Sequence, residues 1–321
     1  MPAIQNSEYA EYVGVSHANC DEWFGEGIKG DQSILLSEKE KAQKFYENYG
    51  GRVFGSYQEL LDSDEIDAVY LPLPPGLHYK WAKKVLESGK HLFVEKPSTV
   101  SSLFTRELID IAREKNLAIH ENYMFVYHTQ LDEISKVVQK GVLGDVRLYR
   151  IAFGFPKRSA TDFRYNKNLG GGALLDCGGY TLKLASNLLG ESAKIVAATS
   201  NYTDEFEVDI YGSATLVNDD NVAVQIAFGM DNSYKCELEI WGSKGTLHTG
   251  RIFTAPVGFE SAYTLNINGE TNTFKLKSDD TFLKSIDEFC KCVINADERE
   301  SNYKRVLKQS NLIDEFIKLS S

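Results

Sequence analysis

Two stretches of the sequence hold side chains whose types and spacing could do chemistry. The first is Glu95-Lys96-Pro97, directly after the apolar run His91–Val94. Ligands of open α/β sheets sit outside the carboxyl ends of the strands, so these side chains stand where a substrate would. Pro97 cannot continue a sheet ladder and turns the chain, which aims Lys96. A lysine there polarises a carbonyl and lowers the pKa of a neighbouring phenol. The plainer reading is a solvated Glu–Lys pair at a strand end. The second stretch is Gly170-Gly171-Gly172-Ala173-Leu174-Leu175-Asp176-Cys177-Gly178-Gly179-Tyr180. Three glycines at a helix entry let a ligand approach the backbone and leave amides free to donate. Asp176 and Tyr180, four apart, fall on one helical face. A carboxylate beside a phenol suits general acid work, with the tyrosine giving a proton and the aspartate orienting it or binding a substrate hydroxyl. Lys, Tyr and Asp together are the groups that protonate an alkoxide formed by hydride transfer.

Other candidates are weaker. His78 opens a helix just past Leu71-Pro72-Leu73-Pro74-Pro75 and could face a cofactor ribose or serve as a helix cap. His120, Asn122 and His128 flank a change in the rhythm of the chain and could line a cleft; each histidine could equally be structural. Gly25-Glu26-Gly27-Ile28-Lys29-Gly30 fits the G-x-G-x-x-G string. A phosphate cradle needs that string in a tight turn from strand straight into helix. The nearest strand-like run, Glu11–Val15, ends ten residues earlier, so the string reads as a loop.

The elements that position these residues alternate at first. Glu11–Val15, Ala68–Leu73, His91–Val94 and Ala118–His120 read as strands. Between them, Ser37-x-x-Glu40 and Ser56-x-x-Glu59 read as capping boxes that open helices, and Gly50-Gly51 and Gly89 as helix stops. That alternation implies right-handed crossovers and a parallel sheet. After Glu121 a helix at about 130–140 leads into longer strands, at 147–154, 193–202, 212–216, 222–228 and 235–242, with Asn268-Gly269 as a hairpin turn. A helix at 173–189 interrupts them, and helices at 282–295 and 303–319 close the chain. The expected fold is therefore α/β plus α+β, with residues 1–119 forming a dinucleotide-binding type of domain and 120–321 a second domain on a large, mostly antiparallel sheet. One face of that sheet should be covered by helices. The open face, near Phe228, Met230 and Trp241, should meet a second subunit.

Composition narrows the class. The 321 residues carry 35 basic and 46 acidic side chains, a formal net charge of −11. There is no basic excess to release counterions from a nucleic acid. No apolar stretch reaches the roughly 18 residues of a membrane span, and no signal peptide is visible at the start. Five scattered cysteines without a C-x-x-C pair fit reduced thiols in a cytoplasm, and six histidines without metal-ligand spacing fit no metal site.

With those residues in hand, the sequence resembles the glucose–fructose oxidoreductase / inositol dehydrogenase (Gfo/Idh/MocA) family. The carriers are DAVYLPLPPGLHYKWAKKVLESGKHLFVEKP, ENYMFVYHTQ, DFRYN, GGGALLDCGGY, AFGMDNSYKCELEIWGSKGTL and RIFTAP. Several segments look closest to the nucleotide-sugar 3-ketoreductase branch; dihydrodiol dehydrogenases share the Asp-x-x-x-Tyr pattern. The resemblance implies a Rossmann-like first domain and catalytic roles for Lys96, Tyr180 and Asp176. It implies cofactor contacts from Pro72, Leu73, Pro74, His78, Glu95 and Lys96, and substrate contacts from Asn122, His128, Arg164 and Asp176. Members of the family begin with a strand and a Gly-rich turn, where this chain reads Met1-Pro2-Ala3-Ile4. The first strand is thus expected to be missing and NADP or NAD to bind weakly. The expected activity is NAD(P)-dependent reduction of a keto group on a nucleotide-linked sugar, in a homodimer. Alternatives are a dehydrogenase of a free sugar, cyclitol or trans-dihydrodiol, and a non-catalytic sugar-binding or dimerisation module.

Overall fold

Short apolar runs alternate with helices through the first part of the computed structural model, which describes residues 1–320. The order is α1 (Pro2–Asn6), β1 (Gly14–Ser16), α2 (Cys20–Phe24), α3 (Gln32–Tyr49), β2 (Arg52–Phe54), α4 (Tyr57–Leu61), β3 (Ala68–Leu71), α5 (Pro75–Glu87), β4 (His91–Val94), α6 (Ser102–Glu114) and β5 (Ile119–Glu121). All pairings here are parallel, as the crossovers require, but they form two sheets, β1-β2 and β3-β4-β5, with no ladder between them. Ser56 caps α4 as expected, its hydroxyl accepting the Glu59 amide at 3.0 Å, though Glu59 reaches back to the Gly55 amide at 2.7 Å instead of to Ser56. Ser37 caps nothing. Asp31 accepts the Ser33 amide at 2.9 Å and starts α3 earlier, so the helix runs through Ser37. The Gly25–Gly30 string joins α2 to α3, with no strand leading into it, and is the loop that its context implied.

The second part follows with α7 (Thr129–Gln139), β6 (Val146–Gly154), a π-helical turn (Leu174–Gly178), α8 (Gly179–Leu189), β7 (Lys194–Thr203), β8 (Phe206–Val217), β9 (Ala223–Gly229), β10 (Lys235–Gly242), β11 (Gly245–Gly250), β12 (Ala262–Ile267), β13 (Glu270–Lys275), α9 (Thr281–Ile294) and α10 (Ala296–Ser320). Eight strands make one sheet in the order β13-β12-β11-β10-β6-β9-β8-β7. Every pairing is antiparallel except β6 with β9. Asn268 and Gly269 both take positive φ (54° and 85°) in the β12–β13 turn, the backbone a two-residue hairpin prefers. Strict alternation of burial along β8 and β10 shows one face packed under α8 and α10 and one face open. Phe228 and Met230 were expected on the open face and are buried instead, because Phe228 is in phase with Val224 and Ile226. Trp241, at 50% exposure, does lie on the open face.

α10 ties the two parts together. Tyr303 packs with the core of β3–β5, while Leu312, Ile313 and Phe316 join the core under the large sheet. Asp314 accepts the Ser102 amide at 2.9 Å, and the Ser310 and Thr105 hydroxyls lie 3.0 Å apart. Asn302 and Tyr303 donate to the Ile119 and Leu117 carbonyls. The tip of β4 and the start of α8 are thereby held face to face.

Candidate active site

The segment after β4 is held on both sides. His78, fully buried on α5, has its ring nitrogens 2.8 Å from the Pro97 carbonyl and 2.6 Å from that of Leu73. It joins the two turns that follow β3 and β4 and has no surface left for a cofactor ribose. On the other side the Ser98 amide donates to Glu121 Oε1 at 2.8 Å. Between these clamps Lys96 Nζ donates to the carbonyl oxygen and to Oδ1 of Asp176, both at 2.8 Å. Glu95 accepts from the Tyr70 hydroxyl and from Asn122 Nδ2, each at 2.7 Å.

The π-helical turn changes the geometry read from spacing. Asp176 and Tyr180 do not touch: the wider turn swings Asp176 toward Lys96 and toward Arg164, whose Nε donates to Asp176 Oδ2 at 2.7 Å. The Tyr180 hydroxyl has no hydrogen-bond partner among the described residues, and its ring sits in a cage of Tyr123, Phe125, Phe153 and Phe253, with Lys96 Nζ 4.9 Å from the ring centre. Arg164 is also tied to Asp162 at 3.1 Å. It lines the cleft, with Nε held by Asp176 and Nη1 by Asp162.

The three glycines serve packing rather than donation. Their amides are bonded to the Lys167, Asn166 and Arg164 carbonyls. Gly170, at φ +74°, lets the chain pass so near the start of α5 that a Cβ would lie 2.6 Å from the Gly76 nitrogen. A Cβ on Gly172 would lie 2.3 Å from Asp209 Oδ1, the carboxylate whose other oxygen accepts the Leu174 amide at 2.7 Å. Burial pushes Asp209 up to about 6.

Three expected candidates lie buried, none of them among the residues that line the cleft. Asn122 is buried and divided between Glu95 and the Ser285 hydroxyl, which donates to Asn122 Oδ1 at 2.9 Å. His128 is the cap of α7, its Nδ1 accepting the Gln130 amide at 3.0 Å. His120 stacks on Phe93 and is held neutral, burial pushing its pKa down to about 3. Tyr70 was not anticipated; a β-strand tyrosine carries no sequence signal that its hydroxyl will reach Glu95.

The charges follow from these contacts. Burial raises the Tyr180 pKa and outweighs the nearby Lys96 cation, so the phenol keeps its proton well beyond neutral pH. Burial opposes the charges of Lys96 and Asp176, yet each more than compensates the other, with Arg164 helping. The ammonium is held above the usual lysine value and the carboxylate below the usual aspartate value. A cleft of about 170 Å³ opens there, lined by Pro72, Leu73, Pro75, Glu95, Lys96, Phe163, Arg164, the three glycines and Asp176. It lies at the carboxyl ends of β3 and β4, where dinucleotides bind such sheets. A fixed cation and a protonated, unpartnered phenol are the chemistry that a carbonyl receiving a hydride needs. No group of His, Cys, Asp or Glu among the described residues could hold a metal ion. No helix among them is long and apolar enough to cross a membrane.

Comparison with known proteins agrees with this chemistry. Residues 30–123 match the family described as oxidoreductase, NAD-binding Rossmann fold, and residues 131–248 match the GFO/IDH/MocA C-terminal domain. A dTDP-3,4-didehydro-2,6-dideoxy-alpha-D-glucose 3-reductase of Actinomadura kijaniata is 34% identical over 88% of this chain and 85% of its own length. One from Saccharopolyspora spinosa is 35% identical over 81% of this chain and 78% of its own. A crystal structure of a 3-ketoreductase from Actinomadura kijaniata, in complex with NADP and TDP-benzene, is similar with a TM-score of 0.89 and 31% identity, covering 99% of this chain and 92% of that one.

Proposed function

The chain belongs to the Gfo/Idh/MocA oxidoreductase family, and from that premise we propose that it reduces a keto group on a dTDP-linked deoxysugar with NADPH. The observation that carries this reading is the placement of Lys96 at the end of β4 against both Asp176 and the ring of Tyr180, whose hydroxyl is unpartnered among the described residues. Its similarity to the 3-reductases, and to a structure solved with NADP and TDP-benzene, supports the substrate and cofactor. Residues 1–119 serve as the dinucleotide-binding domain and 120–321 as the substrate-binding and dimerisation domain.

Pro72, Leu73, Pro74, Glu95 and Lys96 would hold the nicotinamide end of the cofactor, which supplies the hydride when bound. Tyr180 gives its proton to the carbonyl oxygen as the carbon becomes tetrahedral, leaving an alcohol. Lys96 stabilises the negative charge on that oxygen and then on the phenolate, which solvent reprotonates. Asp176, fixed by Arg164, keeps the Lys96 ammonium charged and aimed.

The open sheet face, with Trp241 and Tyr211 half exposed, serves as the contact with a second copy. Solution scattering at micromolar concentration should show a dimer, and a monomer would refute that assignment. The activity is tested by incubating the protein with NADPH and a dTDP-3-keto-6-deoxysugar. Consumption of NADPH with formation of the dTDP-linked alcohol is expected. Turnover of a trans-dihydrodiol or a free sugar, with none of the nucleotide sugar, would contradict the reading.

A further inference from the structure

Resting on that reductase reading, we infer that Glu121 and Lys183 are positioning residues that set Lys96 relative to Tyr180. Glu121 is the last residue of β5, and Lys183 follows Tyr180 by three positions on α8. Their side chains are 1% and 11% exposed, with Glu121 Oε2 and Lys183 Nζ 3.8 Å apart. The other oxygen of the same carboxylate accepts the amide of Ser98, two residues beyond Lys96. One buried carboxylate therefore touches the turn that aims the lysine and faces the cation on the helix that carries the tyrosine.

Stability is a poor reason for this arrangement. Desolvating two charges is costly, and apolar side chains of similar volume serve a core as well or better. The pair is also loose: Glu121 Oε2 has no hydrogen-bond donor among the described residues. Burial pushes Glu121 up and Lys183 down, and Arg305 and Lys308 push Lys183 down further. What the pair does provide is a connection. Lys183 Nζ lies 5.6 Å from the centre of the Tyr123 ring, which meets the Tyr180 ring edge-on at 5.2 Å. Gln309 Nε2 donates to the Gly179 carbonyl at 2.9 Å, bracing the same turn of α8. Neither Glu121 nor Lys183 lines the cleft, so an effect on turnover would be indirect, and the contacts above lead to Lys96 and Tyr180.

Three variants separate positioning from mere support. Glu121→Gln keeps an acceptor for the Ser98 amide and removes the charge facing Lys183. Lys183→Met removes only the cation, and Glu121→Leu removes both contacts. With folding verified by circular dichroism, kcat for NADPH-dependent keto-sugar reduction should fall about 3–10-fold in the first two and about 30–100-fold in the third, the scale expected of sub-ångström to ångström misplacement. KM for the sugar nucleotide should stay within about threefold, and the alkaline limb of kcat should move to higher pH as Lys96 leaves Tyr180. The double variant Glu121→Gln/Lys183→Met should recover thermal stability, since no lone charge remains buried, without recovering kcat. Folded variants with lowered melting temperature but wild-type kcat and pH profile would overturn the inference and leave the pair a structural staple. Should the wild-type protein reduce no dTDP-keto sugar, the functional reading falls, and crystal structures of Glu121→Gln and Lys183→Met decide the inference instead. A shifted Lys96 supports it, and a Lys96 still 2.8 Å from Asp176 Oδ1 in both overturns it.

Discussion

α3 and α8 are helices of the same chain held in opposite ways. α3 runs for 18 residues and buries only Ala42, leaving Ile34 and Leu36 in solvent. α8 has 11 residues and buries eight, among them Tyr180, Leu182 and Leu184. Helices in proteins draw most of their stability from packing an apolar face, so the reaction end is built rigid and the outer end of the parallel half is held lightly. A ligand spanning both would meet a preformed reaction centre and order the outer part as it binds.

The largest expected effect is at the rigid end. Tyr180→Phe should lower turnover by about 10²–10⁴-fold, the range for a lost general acid, with sugar-nucleotide binding nearly intact by calorimetry. Lys96→Ala should follow at about 10²–10³-fold, the scale of one lost stabiliser of an oxyanion, and should also weaken NADPH binding in a fluorescence titration. Asp176→Asn should cost about tenfold in turnover, because Asp176 touches Lys96 and Arg164 but not Tyr180. It should also destabilise the fold by about 3 kcal/mol, as two cations lose their buried partner. The sign with pH is fixed by the lowered Asp176 value. The stabilisation is present above the unfolded aspartate pKa of about 3.9 and is lost as pH falls through the folded value, and the asparagine variant should lack that loss.

Smaller effects sharpen the contrast between the helices. Leu182→Ala should cost about 2–5 kcal/mol in chemical denaturation, the range for a packed core leucine. Ile34→Ala on α3 should stay within about 0.5 kcal/mol, as surface changes do. Hydrogen exchange should find α3 amides poorly protected and α8 amides near the global limit, with NADPH raising protection in α3. Equal protection of both helices would remove the contrast.

Much of this was legible in the sequence, for identifiable reasons. The strand His91–Val94 is found at its expected bounds and Lys235–Gly242 likewise, the first a short apolar run and the second an alternation of exposed and buried positions, each closed by turn residues. Lys96 lies against both Asp176 and the Tyr180 ring. What spacing could not show is that the helix entry is a π turn, so a four-residue interval no longer pairs Asp176 with Tyr180. Nor does composition reveal where a polar side chain spends its hydrogen bonds. His78 and Asn122 look free as letters and are taken up by the Leu73 and Pro97 carbonyls and by Glu95 and Ser285, while His128 uses Nδ1 on the Gln130 amide and leaves Nε2 buried without a partner among the described residues. Phe228 falls on the covered face because the phase of a sheet strand is set by its partners, not by its own apolar count.

The central claim is that a buried phenol, kept protonated at neutral pH, delivers the proton to the reduced carbonyl. The rate of keto-sugar reduction in a single turnover, followed against pH by NADPH fluorescence, tests it most directly. Because burial raises the Tyr180 pKa, the account predicts a rate that is flat through neutral pH and falls only above the ordinary phenol value of about 10. A limb near pH 6.5, the ordinary range of a histidine, that persists in Tyr180→Phe would contradict it and assign the proton to another group.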